Sequence, residues 1–273
     1  MHPAVAAAFE PPTPGRLLKA TRFLPGVTRT AEQIDRFATY WRHLGVQALS
    51  ADGPVLVALG DSLAQGIGAS NPDGGYVGGL LRHLDDESTP SPTPSPVLVP
   101  SPVPSSALPV LNLSRSGATI ADVLSIQLPA LAAAEVAPLA VVCTVGSNDL
   151  VGSARLGRTR RALGQLVDAV PAGTVVAALP DRGSLAAKAL NRHLRATAGS
   201  RGLVIAEVND HLTTWRGHQA GDRFHPNDAG YRCWTAAFVA ALARRPDGPT
   251  APTGSTDPSG SVDWVTSPPT KGR

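Results

Sequence analysis

The chain has 273 residues, of which 42% are hydrophobic, 16% charged and 4% aromatic, and its formal net charge is +3. This length is enough for one α/β domain with a large core or for two small domains. Because the basic residues are scattered and few aromatic residues are present for base stacking, the composition argues against nucleic-acid binding. Cys143 and Cys233 are too few for a disulfide framework and lack metal-ligand spacing, so we expect both to serve as small apolar residues.

The amino terminus lacks the features of a targeting segment. It has no basic region, and its apolar stretch stops at Glu10, which is too short for the core of a secretory signal. No later segment offers the roughly 18 uninterrupted apolar residues that a membrane span needs. We therefore expect a cytoplasmic protein without an integral membrane segment, in which residues 1–29 form an irregular arm.

Two helices are expected at the ends of the folded region. Thr30 and Gln33 fit a capping box for a helix whose apolar face includes Phe37 and Trp41. This face suits packing against a sheet better than an exposed surface for a partner. A last helix is predicted to begin at Pro226, because proline suits the first helical position, and to run to about residue 244.

Between these helices, apolar runs rich in branched residues predict strands that are buried on both faces. The runs cover residues 55–59, 110–113, 139–145, 174–179 and 203–208. Segments with the helical spacing of apolar residues lie between them, so strands and helices alternate along the chain. This alternation predicts a doubly wound parallel sheet with right-handed crossovers.

The distribution of proline separates the folded region from the rest. Eight of the 26 prolines fall within residues 90–109 and six within 246–269. Because proline has no N–H for a helix or a sheet ladder, these stretches fit extended, solvated chain. We predict a single domain over 30–245 with a Ser/Pro-rich insertion at 85–109, followed by a disordered tail at 246–273.

The first predicted strand runs into the sequence Gly60-Asp61-Ser62-Leu63. The carboxyl ends of the strands in a doubly wound sheet line the ligand crevice, so Ser62 is predicted at the floor of this crevice. A serine in that position has a reason to be a nucleophile. The motif is not the Gly-x-Ser-x-Gly elbow, because Ala64 stands where the second glycine would be.

A nucleophilic serine needs a base, and the base needs a group that fixes its tautomer. A short loop before the last helix supplies both, since His225 can act on Ser62 while Asp222 reaches the other imidazole nitrogen. The other histidines are weaker candidates. His211 directly follows Asp210, and the rest lack a comparable carboxylate at a strand end. These are His2, His43, His83, His193 and His218.

Hydrogen-bond donors for an oxyanion are expected at the same strand ends. Ser62 and Gly117 can each offer a backbone N–H, and Asn148 can offer its side-chain amide. Taken singly, Gly117 also fits a turn, and Asn148 and Asp149 fit a helix cap. Their places at the ends of successive strands favour a catalytic role. We expect Asp61 and Asp149 to be loop acceptors rather than proton carriers.

The sequence resembles the SGNH hydrolases, which include the GDSL-type esterases and lipases, over about residues 54–243. The resemblance implies a three-layer α/β/α sandwich with a flavodoxin-like sheet, and ester or thioester hydrolysis without a metal or an organic cofactor. It also implies Ser62 as nucleophile, His225 as general base and then acid, and Asp222 as the carboxylate that orients it. Ser62, Gly117 and Asn148 would form the oxyanion hole. The blocks that carry the resemblance are Gly60-Asp61-Ser62-Leu63, Gly117, Gly146-x-Asn148-Asp149 and Asp222-x-x-His225-Pro226.

These residues predict a serine hydrolase that acts on a small-molecule ester through an acyl-serine intermediate. Leu150, Val151 and Phe224 adjoin the predicted site and are candidates for an apolar wall that favours short or medium acyl chains. One alternative passes the acyl group to a carbohydrate hydroxyl at the same site. A second alternative is a non-catalytic protein whose Pro-rich insertion binds a protein partner, although the intact catalytic positions argue against it.

Overall fold

A five-stranded parallel sheet lies at the centre of the computed structural model. The strands are β1 (Pro54–Gly60), β2 (Val110–Asn112), β3 (Ala137–Thr144), β4 (Val175–Ala177) and β5 (Val204–Ala206). Their order is β2-β1-β3-β4-β5, and all neighbours are parallel. The predicted strands and their doubly wound arrangement are confirmed. The structure describes residues 1–10, 25–88, 108–150, 156–181 and 183–245.

Helices cover both faces of the sheet and complete the predicted three-layer α/β/α sandwich. A π-helical turn at Val123–Gln127 joins two of them, α4 and α5, and 3-10 turns lie at Pro72–Gly74 and Gly199–Arg201. The helices are α1 (Pro3–Phe9), α2 (Pro25–Ala48), α3 (Tyr76–Ser88), α4 (Ile120–Asp122), α5 (Leu128–Ala133), α6 (Ser147–Leu150), α7 (Leu156–Ala169), α8 (Leu185–Ala198), α9 (Val208–His211) and α10 (Asp228–Leu242).

Alternate residues of the central strands face two separate hydrophobic cores. In β1, Val55, Val57 and Leu59 enter one core, whereas Leu56 and Ala58 enter the other. The first core is filled by α1, α7, α8 and the helical segment around the π turn, and the second is filled mainly by α3 and α10. Because both faces of these strands are buried, their sequences are continuously apolar instead of alternating.

The helix before β1 begins earlier than the sequence predicts. It begins at Pro25 rather than at the capping box expected from Thr30 and Gln33. The Gln33 side chain is bonded instead to the loop that follows β1. Phe37 and Trp41 on the apolar face of α2 are buried, and the helix packs along β2. This confirms the preference for packing over an exposed partner surface.

The amino terminus is helical where we predicted an irregular arm over residues 1–29. In α1, the side chains of Val5, Ala8 and Phe9 are buried. The Phe9 ring packs directly over Gly45 of α2. A helix as short as α1 is marginal by itself, so the burial of these apolar side chains stabilises it. The remainder of the predicted arm either belongs to α2 or lies outside the described residues.

The Ser/Pro-rich insertion and the tail lie largely outside the described residues, which exclude 89–107 and 246–273. The edges of the predicted insertion belong to the folded domain, since the backbone N–H of Leu108 donates to Asp85 Oδ1 at 3.1 Å. The division of the chain into arm, domain, insertion and tail stays a prediction. Of the helices in the described ranges, none is both long and apolar enough to cross a membrane.

Candidate active site

The loop after β1 carries Ser62. The strands that follow β1 lie on both sides of it, β2 on one side and β3 on the other, so the direction of strand addition reverses at this point. This loop begins at Gly60, which has a φ of +125°. A Cβ atom at Gly60 would lie 2.0 Å from the carbonyl oxygen of Thr144 in β3, so only glycine permits this approach. Ser62 is 7% exposed, and its hydroxyl therefore occupies a nearly closed position at the carboxyl end of the strand.

Ser62, His225 and Asp222 form a continuous hydrogen-bonded chain. Ser62 Oγ lies 2.8 Å from His225 Nε2, and His225 Nδ1 lies 2.6 Å from Asp222 Oδ2. The other carboxylate oxygen of Asp222 accepts the backbone N–H groups of Phe224 and His225 at 2.9 and 3.0 Å. The structure thus brings together the three side chains expected from the sequence, and both oxygens of the carboxylate have fixed partners.

The loop between Asp222 and His225 favours the ionised carboxylate. Burial by itself raises the pKa of Asp222, but the hydrogen bond and charge of His225 and the two backbone N–H groups outweigh burial and hold this pKa well below its usual range. Arg223 adopts a left-handed conformation with a φ of +55°, which turns the chain tightly between Asp222 and His225. The carboxylate can therefore balance a positive imidazole.

The helix after this loop begins two residues later than the sequence predicts. It begins at Asp228 and not at Pro226, because Asn227 is the N-cap and its Oδ1 accepts the backbone N–H of Gly230 at 3.0 Å. Pro226 forms an isolated antiparallel bridge with Gln219 instead. The bridge, rather than the start of the helix, steadies the loop that carries His225.

Gly68 allows the loop after β1, which carries Ser62, to touch the loop that carries His225. It has a φ of +100°, and a Cβ atom there would lie 2.4 Å from the carbonyl oxygen of Pro226 and 2.8 Å from His225 Cβ. The Gln33 side chain supports this contact, since it accepts the N–H of Gly68 at 3.0 Å and donates to the carbonyl oxygen of Ala69 at 2.9 Å. Gly68 is therefore required both for its backbone conformation and for the close approach.

The two further oxyanion donors expected from the sequence follow the ends of β2 and β3. Asn148 Nδ2 donates to the carbonyl oxygen of Ala118 at 2.9 Å and lies 3.5 Å from Asp61 Oδ2. The longer distance is at the limit of a hydrogen bond, so one of its two N–H groups is held only weakly. Gly117 has a φ of +82°, and a Cβ atom there would meet nothing within 4 Å. Glycine therefore serves the backbone turn at that position.

The two acidic residues next to the expected catalytic groups accept hydrogen bonds from the backbone. Asp61 Oδ1 accepts the N–H of Leu63 at 3.0 Å, and Asp149 Oδ2 accepts the N–H of Ile120 at 3.1 Å. Burial raises the pKa of Asp61 to about 7, and the charge of Asp149 adds to this effect. Burial likewise raises the pKa of Asp149. Both carboxyl groups act as loop acceptors, as we expected from the sequence.

Buried amide side chains that the sequence analysis did not single out hold the loops of the site together. Asn112 donates to the carbonyl oxygen of Ala64 at 2.9 Å, and Gln65 donates to that of Ser114 at 2.9 Å. Gln127 bonds the end of β1 in a similar way. A signal for Asn112 and Gln127 is present in the sequence, because each is a polar residue between two large apolar neighbours and must find a partner when buried.

A cavity of about 190 Å³ lies next to this hydrogen-bonded chain. Because Leu63 and Phe224 are the chain neighbours of the serine and the histidine, this cavity adjoins the reacting groups. Of the expected wall residues, Leu150 and Phe224 line it, and Val151 lies outside the described residues. Most of its lining is apolar: Leu63, Ser147, Leu150, Leu179, Pro180, Ser184, Ala187, Trp215, Phe224 and Pro226.

The cysteines and potential metal ligands give no second centre in the part of the chain that the structure describes. No three His, Cys, Asp or Glu side chains come together there as a group able to hold a metal ion. Cys143 is buried and Cys233 is partly buried, and both thiols are free. Burial raises the pKa of Cys143, with a further contribution from Asp61, so this thiol stays protonated and packs as an apolar residue.

Several solved structures of hydrolases are similar to this chain. TesA shares 24% identity over 69% of this chain and 97% of its own, with a TM-score of 0.54. A family 3 carbohydrate esterase from Clostridium thermocellum shares 20% identity over 70% of this chain and 96% of its own, with a TM-score of 0.54. The esterase EstA from a Pseudoalteromonas species shares 20% identity over 70% and 97%, with a TM-score of 0.51. At such identities these similarities show the fold.

A known protein family matches the region of the chain that holds the sheet and the candidate site. No curated protein sequence matches the chain. The model of the GDSL-like Lipase/Acylhydrolase family matches residues 58–233, which include the loop that carries Ser62, all strands after β1 and the loop that carries His225. This match covers more than half of the sequence and ends within α10. The chain therefore belongs to the GDSL-like lipase/acylhydrolase family.

Proposed function

We propose that the protein hydrolyses carboxylic esters or thioesters in two steps through an acyl-serine intermediate. The observation that carries this proposal is the hydrogen-bonded chain from Ser62 Oγ through His225 to Asp222, with distances of 2.8 and 2.6 Å. A serine hydroxyl, an imidazole and an ionised carboxylate in this order are the parts that nucleophilic acyl transfer requires. Membership of a hydrolase family supports the same chemistry.

In the first step, Ser62 Oγ attacks the acyl carbonyl while His225 Nε2 takes the hydroxyl proton. Asp222 stabilises the imidazolium that forms. Collapse of the tetrahedral intermediate breaks the bond to the leaving group, and His225 gives its proton to the departing oxygen or sulfur. In the second step, the same imidazole activates a water molecule that attacks the acyl-serine and releases the acid.

The negative charge of the tetrahedral intermediate would be stabilised by the backbone N–H groups of Ser62 and Gly117 and by the amide of Asn148. The weak contact of Asn148 with Asp61, at 3.5 Å, supports this role. The N–H that faces Asp61 could bond the oxyanion without the loss of a strong hydrogen bond, while the stronger bond to Ala118 holds the planar amide in place.

The acyl part of the substrate would occupy the apolar cavity beside the triad. Its volume of about 190 Å³ and its lining by side chains such as Leu179 and Trp215 favour short or medium acyl chains. One relative in structure is a carbohydrate esterase, so acetylated sugars belong in the substrate panel. Analysis of the products with and without carbohydrate acceptors separates hydrolysis from transfer, because transfer yields a new sugar ester in place of free acid.

The test is turnover of nitrophenyl esters of increasing acyl length by the parent and by Ser62→Ala and His225→Ala. We expect a loss of at least about 10³-fold in each variant, because the nucleophile or its base is removed. Ser200→Ala and His211→Ala are matched controls, since both side chains are exposed and lie outside the triad. Parent-like rates in folded Ser62→Ala protein would contradict the proposed function.

A further inference from the structure

Gln127 is a fully buried amide whose two polar atoms are bonded to one peptide residue of β1. Its Oε1 accepts the N–H of Gly60 at 2.6 Å, and its Nε2 donates to the carbonyl oxygen of Gly60 at 2.8 Å. Gly60 is two residues before Ser62. The side chain is thus satisfied entirely by the main chain at the point where β1 turns into the nucleophile loop.

A distortion in the helical segment places this side chain. Val123–Gln127 form a π turn, in which the N–H of Leu128 bonds the carbonyl oxygen of Val123, five residues earlier. The proline at position 129 explains the distortion, because its ring conflicts with the carbonyl group four residues earlier, at Ser125. Single π turns within α-helices are uncommon and are found frequently at functional sites.

Gly60 connects Gln127 to two of the three donors of the proposed oxyanion hole, those of Ser62 and Gly117. The carbonyl oxygen of Gly60 also accepts the N–H of Arg115 at 3.0 Å. The carbonyl oxygen of Arg115 in turn accepts the N–H of Ala118 at 3.0 Å, which closes the turn that contains Gly117. One buried amide therefore fixes the main chain that leads to the nucleophile and the main chain that presents the glycine donor.

A second buried amide makes the same arrangement at the other end of the sheet and provides a matched comparison. Asn191 of α8 accepts the N–H of Leu179 at 2.7 Å and donates to its carbonyl oxygen at 2.8 Å. Leu179 follows β4 and lines the apolar cavity. The two amides share burial and bonding pattern, but Asn191 holds the cavity wall, whereas Gln127 holds the nucleophile loop.

We propose that Gln127 is a positioning residue that sets the geometry of the nucleophile and of the oxyanion turn through the peptide groups of Gly60. For its catalytic consequence, this inference rests on the proposed esterase function. The amide acts through the main chain and does not touch the substrate. Its removal should therefore lower kcat more than it changes KM, and should do so equally for short and long acyl chains.

The first test is Gln127→Met, which keeps approximately the size of the side chain but leaves the N–H of Gly60 without its partner. We expect kcat to fall by about tenfold to a hundredfold, with KM within about threefold of the parent for every acyl length. Asn191→Leu should instead change the dependence on acyl length, because it loosens the residue that lines the cavity. Thermal unfolding of both variants establishes that they are folded.

The second test is Gln127→Glu, which separates hydrogen bonding from packing. A protonated carboxylic acid can accept from the N–H of Gly60 and donate to its carbonyl oxygen as the amide does, whereas the ionised form cannot donate. The kcat of Gln127→Glu is divided by the kcat of the parent at the same pH. We expect this ratio to be close to one at low pH and to fall as the pH rises. If Gln127→Met does not fold, this pH dependence alone carries the test.

Amide hydrogen exchange keeps this inference separate from the proposed function. Gln127→Met should accelerate exchange in peptides covering 60–62 and 115–118, and Asn191→Leu should accelerate it around 178–180 instead. The inference is overturned if Gln127→Met leaves kcat within twofold of the parent, if Gln127→Glu shows no recovery at low pH, or if exchange at 60–62 is unchanged. A parent without turnover contradicts the esterase function, and the exchange result then still decides whether Gln127 fixes the loop.

Discussion

The candidate active site lies along the carboxyl ends of the five strands, and the two sides of this edge present different groups to it. At the ends of β1, β2 and β3, buried amides such as Gln127 and Asn112 bond directly to loop main chain. At the ends of β4 and β5, the buried amide of Asn191 also bonds the main chain of Leu179, but the side chains that face the site, such as Leu179 and Trp215, surround a cavity with apolar groups. Hydrogen bonds are directional and fix atoms relative to one another, whereas apolar burial depends mainly on area and volume. We therefore expect the polar end to tolerate little change and the apolar end to tolerate adjustment.

The largest expected effect comes from Asp222→Asn at the polar end. The substitution keeps the shape of the side chain but removes the charge that balances the imidazolium and sets its tautomer. We expect kcat to fall on the order of 10⁴-fold in nitrophenyl ester hydrolysis. The exposed Asp210→Asn is the control, and a loss of less than tenfold in Asp222→Asn would show that the carboxylate does not act on His225.

A second expected effect concerns the stability of the polar end as a function of pH. Burial raises the pKa of Asp61 from 3.8 in the unfolded chain to about 7. Between these values the unfolded chain releases the proton while the folded chain retains it, so the stability contributed by this group is lost as the pH rises. Asp61→Asn keeps an acceptor for Leu63 and removes the ionisation.

Chemical denaturation from pH 4 to pH 8 measures this difference. We expect the free energy of unfolding of Asp61→Asn to increase relative to that of the parent as the pH rises. At pH values above 7 the difference should reach a few kcal/mol, because each unit of the pKa difference corresponds to about 1.4 kcal/mol. Asp52→Asn removes an exposed carboxylate and serves as the control. A difference between Asp61→Asn and the parent that does not vary with pH would contradict this assignment.

The next effect compares two glycines, one from each end of the sheet edge. Gly68→Ala places a Cβ atom 2.4 Å from the carbonyl oxygen of Pro226, whereas a Cβ at Gly183 meets nothing within 4 Å, although both glycines have positive φ. We expect Gly68→Ala to lower the free energy of unfolding by about 3 kcal/mol, from strain and collision together, and Gly183→Ala by about 1 kcal/mol, from strain alone. Equal losses would show that the contact between the catalytic loops can relax.

The smallest effect is expected at the apolar end. Leu179→Ala enlarges the cavity and should shift the preferred acyl chain to a longer one, with a several-fold change in the ratio of kcat/KM between long and short esters. Leu190→Ala, on the same side of the sheet in α8, truncates another buried leucine that does not line the cavity. If both variants give the same acyl preference, the cavity does not hold the acyl chain.

Much of the fold followed from local patterns. Continuous apolar runs are sufficient to identify strands that are buried on both faces, and all five expected strands are present. The limits of helices were less well predicted. With Asn227 as its cap, α10 begins at Asp228, two residues after Pro226, and α2 begins before Thr30. Neighbouring residues can each start a helix, and tertiary contacts decide which of them does so.

The sequence by itself determined the class of the fold and placed Ser62, His225 and Asp222 at loop positions where they could meet. Only the tertiary structure decided that Ser62 and His225, which are 163 residues apart, lie within hydrogen-bond distance. It also shows that Gln127 and Asn191 bond to strand ends, that Phe9 of α1 packs over Gly45 of α2 and that an apolar cavity adjoins the loops that carry Ser62 and His225. The physical reason is that residue patterns record which side chains must be buried or paired, whereas the partner of each buried polar group is chosen by packing between distant segments.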